Sequence, residues 1–122
     1  VAKAKLKSFI VEIYGVTVFY SISSFRTFKQ LLQTEFNYEL PEHEKEGGVL
    51  GFTMPLEHKK TGTSGLFVWL DNKNKNINKI KVHESFHAAE NILFSRDITL
   101  GNCSASREAY AYLIAHIFNK LK

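Results

Sequence analysis

The segment KVHESFHAAENIL, Lys81 to Leu93, places His83 and His87 four residues apart, with Glu84 directly after the first. On a helix, positions i and i+4 lie one above the other, so both imidazoles point at one spot. Two nitrogen ligands aimed at one point suit a zinc ion. Glu84 is turned about 100° from His83 around such a helix, too far to ligate comfortably beside the pair but within reach of a water bound there. Zinc lowers the pKa of its water towards neutrality and polarises a carbonyl, while a nearby carboxylate takes the proton as the water attacks. The chemistry expected of the three residues is metal-assisted hydrolysis. The same spacing also arises on an amphipathic helix that carries two surface histidines.

The surrounding sequence predicts an α+β order of elements. Phe9, Val11 and Ile13, then Val16, Val18, Tyr20 and Ile22, recur at every second position, the period of half-buried strands, with Gly15 as a bend or turn between them. Ser23 or Ser24 caps a helix whose apolar residues are Phe25, Phe28, Leu31, Leu32 and Phe36. Tyr38 to Gly48, with Pro41 and a run of charges, reads as a loop. VLGFTM (Val49 to Met54) and LFVWL (Leu66 to Leu70) read as a hairpin whose long connection holds Pro55, Gly62 and Gly65. After DNKNKN comes a helix from about Asn78 to about Phe94, and a last helix from about Ser104 to Leu121 closes the chain.

The pattern His83-Glu84-Ser85-Phe86-His87 is an HExxH motif, and it resembles the zinc metallopeptidases of the zincin class. A catalytic zinc site has three protein ligands and an open position for water, so a third ligand must come from elsewhere. In the gluzincin branch it is a glutamate on a second helix, and the matching residue is Glu108 in SASREAYAYLIAHIF. The contexts HAAENIL and REAYAYLI are similar to those of small phage and bacterial metallopeptidases. The resemblance implies a minimal zincin-like domain over residues 1–122. In it a small mixed β-sheet packs on the HExxH helix and on a C-terminal helix carrying the third ligand. It further implies Zn2+ held by His83, His87 and Glu108, with Glu84 as the general base of an endopeptidase acting on a protein or peptide. The chain departs from the larger thermolysin-like enzymes. Tyr112 stands where they carry an aspartate four residues after the third ligand, and their transition-state histidine lies in a domain that has no counterpart here. Tyr112 and His116 are therefore weighed as oxyanion stabilisers.

Other residues admit plainer readings. Standing alone, Glu108 is a first-turn glutamate favoured by the helix dipole. Asp97 reads as a loop residue rather than a ligand, and His43 and His58 as solvated side chains in charged loops. Cys103 is a buried or surface thiol, and one cysteine excludes an internal disulfide. The N-terminal Lys3, Lys5 and Lys7 followed by an apolar run imitate a signal peptide, but Glu12 and Gly15 interrupt the run and it is too short to span a bilayer. An intracellular, cytoplasmic protein is expected. Lys73, Lys75, Lys79 and Lys81, within a net charge of +4, form a candidate phosphate-contacting patch. The alternative to an enzyme is a zincin-like binding module for a protein or nucleic-acid partner. Such a module has no need of the base Glu84. An extended substrate is expected to pair with the edge of VLGFTM, where Gly51 gives close access to the backbone.

Overall fold

A computed structural model describes residues 6–101 and 104–122. Lys3, Lys5 and Cys103 lie outside the described residues. Among the described residues seven elements follow one another: β1 (Lys7–Val11), β2 (Val16–Ser23), α1 (Phe25–Glu35), β3 (Gly51–Glu57), β4 (Ser64–Asp71), α2 (Ile77–Phe94) and α3 (Ser104–Lys120). The strands form one mixed sheet in the order β1-β2-β4-β3. β1 and β3 pair antiparallel with their neighbours, whereas β2 and β4 run parallel from Thr17↔Gly65 to Ser23↔Asp71.

The parallel pair explains the layering. Parallel strands need a crossover, and the chain between β2 and β4 supplies it through α1 and β3. Along β2 and β4, Val18, Tyr20, Leu66, Val68 and Leu70 join α2 and α3 in one core; Phe19, Phe67 and Trp69 join α1 in the other. The period of two thus feeds two cores, one on each face of the sheet. The α1 core is aromatic. Phe28 stacks on Trp69 with centroids 4.1 Å apart, and the Trp69 indole N–H donates to the carbonyl of Ser23.

Local chemistry sets the ends. Gly15 has φ +66°, in the left-handed region where glycine costs least, and closes the β1–β2 hairpin by donating to the Val11 carbonyl. The Ser24 hydroxyl caps α1 by accepting from the backbone of Thr27. In DNKNKN, the side chains of Asp71 and Asn74 accept from the backbones of Lys73 and Asn76, so the chain turns straight from β4 into α2. Arg96, just past α2, donates to the Tyr14 carbonyl in the hairpin turn. Among the described residues no helix is long and apolar enough to cross a membrane.

Four expectations need correction. Ile13 lies exposed in the turn after β1 rather than in a half-buried strand, and Gly65 lies inside β4, between Thr17 and Leu56, rather than in the connection. Pro55 lies inside β3, not in the connection, and pairs opposite Leu66. The reason is directional: Asp71 donates its N–H to the Leu50 carbonyl, and successive residues of a strand turn their polar groups to opposite edges. Gly51, Thr53 and Pro55 therefore face away from β4, where a missing N–H breaks no ladder bond. His58 is buried rather than solvated. It stacks on Phe19 at 5.0 Å, and its ring nitrogens meet Thr61 at 3.0 Å and Glu35 at 3.4 Å.

Candidate functional site

α2 lies across the sheet with Ala88, Ala89, Ile92 and Leu93 in the core. This fixes its rotation. Glu84 and Ser85 fall on the buried side, and His83 and His87 fall at its margin, where His83 is exposed and His87 half-buried. The helix thereby presents both imidazoles at the wall of a cleft of about 640 Å³. That volume is within the range of small-molecule and peptide-side-chain sites.

The two histidines converge. Their Nε2 atoms stand 3.0 Å apart, with ring centroids 4.6 Å apart and planes at 79°. Two nitrogens bound to a tetrahedral zinc at the usual bond length lie about 3.3 Å apart, so the pair needs only a few tenths of an ångström of adjustment to share one. His87 also turns its other nitrogen, Nδ1, towards Glu90 at 3.7 Å. A carboxylate on that side favours a tautomer that leaves Nε2 as the ligating atom. Asn91 donates to the His87 carbonyl from the next turn and lines the cleft.

Glu84 is 5% exposed, which for a carboxylate demands a partner. The partner comes from β3: the Thr53 hydroxyl donates to Oε1 at 2.6 Å. Gly51, two residues earlier and so on the same face of the strand, makes room for the side chain. A Cβ placed there would stand 2.7 Å from Oε2 of Glu84 and 2.8 Å from both its Cγ and Cγ2 of Ile80. α2 thus fills the space over the α-carbon of Gly51. What stays accessible is its backbone edge. Among the described residues β3 pairs only with β4, and it lines the cleft from Gly51 to Met54. The Tyr38–Leu50 segment supplies a further wall, with Tyr38, Leu40, Val49 and Leu50 as its apolar part and Glu44 as its acidic one.

The other candidate residues lie elsewhere. Glu108 is exposed and does not line the cleft. α3 buries Tyr110, Leu113 and Ile117, and a residue two positions before Tyr110 is turned about 200° from it, so Glu108 stands on the outward face. Among the described residues no group of three or more His, Cys, Asp or Glu side chains is placed to hold a metal ion. Tyr112 and His116 line a different cavity, with Ile10 to Ile13 of the hairpin, which separates them from His83 and His87. Asp97, at φ +59°, sits in the turn that ends α2. Of the four lysines, Lys73, Lys75 and Lys79 are exposed, while Lys81 covers the ring of Phe118 at 4.9 Å.

The residue missed in the sequence is Thr53. Its signal was the period of two: Gly51 and Thr53 share the strand face next to the following helix. Against protein-family models, curated proteins and solved structures, the chain finds no match.

Proposed function

We propose that this chain is a zinc-dependent peptidase in which His83 and His87 hold the metal and Glu84 is the general base. The observation that carries the reading is the convergence of the two Nε2 atoms, 3.0 Å apart, in the same cleft as a buried carboxylate. When bound, zinc supplies an acidified water and a Lewis acid for the scissile carbonyl. The resemblance assigns the third ligand to Glu108. In the structure Glu108 is exposed and lies outside the cleft that holds the pair.

Glu84 moves the proton. Its carboxylate, held on the cleft wall by Thr53, accepts the proton of the attacking water and returns it to the departing amine, general base and then general acid. The edge of β3 orients the substrate. Gly51 offers an N–H and a carbonyl, Thr53 offers the same, and Pro55 offers a carbonyl alone, so an extended peptide pairs over a short ladder that stops at the proline. Such pairing reads main chain and leaves side-chain choice to the apolar wall formed by Tyr38, Leu40 and Val49.

The test is hydrolysis of an unstructured polypeptide, such as reduced casein, by zinc-loaded protein. Wild type cleaves it, and Glu84→Gln lowers turnover by about 10²- to 10⁴-fold. Peptide binding without cleavage by wild type would move the reading to a binding module. Cleavage that persists in Glu84→Gln would remove Glu84 from its role.

A further inference from the structure

Glu84 is a flexible side chain, and a base works only if one oxygen is aimed at the proton it takes. In a helix its carboxylate has several rotamers, so something must select one. Two observations on β3 do this. The Gly51 position, lacking a Cβ, leaves a slot that the Glu84 Cγ and Oε2 occupy against Ile80. At the other end of the slot the Thr53 hydroxyl donates to Oε1 at 2.6 Å, a short bond of the charge-assisted kind. Thr53 is only half-buried and its strand would tolerate valine of the same shape, so the hydroxyl is not required for packing.

We infer that Thr53 is the positioning residue of this site, engaging one oxygen of Glu84 so that the other is the proton acceptor. The inference rests on the peptidase reading for its consequence in turnover. The holding of the carboxylate is a property of the protein without metal. Thr53 acts through Glu84 and takes no part in the proton transfer itself. Losing its hydrogen bond frees the carboxylate to rotate, which lowers the fraction of aimed conformers without touching the ligands or the substrate edge.

The experiment uses Thr53→Val, which removes the hydroxyl at constant shape, and Thr53→Ser, which keeps it; Thr53→Ala replaces the valine variant if that one melts more than a few degrees low. Two readouts are taken. In metal-free protein with ¹³C-labelled glutamate, the Glu84 carboxyl resonance, assigned by its loss in Glu84→Gln, moves in Thr53→Val and stays in Thr53→Ser. In zinc-loaded protein, Thr53→Val lowers kcat by about 10- to 100-fold, as expected for loss of one hydrogen bond to a charged group, with KM and zinc content unchanged. Thr53→Ser restores turnover to within about threefold. A resonance that does not move in Thr53→Val overturns the inference, as does a shifted resonance with unchanged kcat. If wild type cleaves nothing while the resonance behaves as described, the peptidase reading fails and the holding of Glu84 by Thr53 stands.

Discussion

Replacing Gly51 with alanine separates the cost to the fold from the cost to the site. The new methyl group would stand 2.7 Å from Glu84 Oε2 and 2.8 Å from Ile80 Cγ2, against the 3.4 Å at which ordinary contact begins. Gly51 is not among the glycines of positive φ, so the effect is steric and not one of backbone strain. Overpacking of this kind costs about 1–3 kcal/mol. The carboxylate end can swing aside, but Glu84 Cγ and Ile80 Cγ2, both at 2.8 Å, are less free to move, so the cost spans that whole range. For a chain of this length that lowers the melting temperature by roughly 3–15 °C. The swing takes Glu84 off Thr53, and a misplacement near 1 Å costs about 10²-fold in turnover. Gly101→Ala is the control, since a Cβ there meets nothing within 4 Å. Melting followed by circular dichroism and kcat on casein are measured together. A Gly51→Ala protein that melts within about 1 °C of wild type and turns over at the wild-type rate would mean that the slot at Gly51 does not hold Glu84.

Two further predictions follow from the edge and the ligands. Single N-methylation along a peptide substrate raises KM at alternate residues only, those whose N–H meets the Gly51 and Thr53 carbonyls; a uniform or absent response places the peptide elsewhere. Glu84→Gln keeps stoichiometric zinc by elemental analysis, whereas Glu108→Ala binds it more weakly. Equal retention in both excludes Glu108 from the metal.

Much of the architecture is legible because burial imposes its period on the chain. The alternation from Val16 to Ile22 and the helical spacing after Ser24 both correspond to elements of the fold, and α2 and α3 lie within one residue of the expected spans. The Gly15 turn and the Ser24 cap are local choices of φ and hydrogen bonding, visible in residue type alone. Pro55 and His58 depart from the sequence expectation for a common reason. Proline forbids a donor, not a strand, and only the partner's position tells which edge the missing donor faces. A histidine among charges is buried when an aromatic from a distant strand, here Phe19, lies over it. Within the site, the convergence of His83 and His87 follows from helix geometry. The support of Glu84 by Thr53 joins residues 31 apart and depends on the packing of α2 against β3. The placing of Glu108 depends likewise on which face α3 buries, and Tyr110, Leu113 and Ile117 decide that.

Calorimetric titration of the metal-free protein with zinc addresses the convergent histidines directly. One zinc is expected to bind per chain, with the heat of binding abolished in a His83→Ala, His87→Ala double variant whose melting without metal matches wild type. No binding by wild type, or binding of the same stoichiometry and affinity in the double variant, contradicts it.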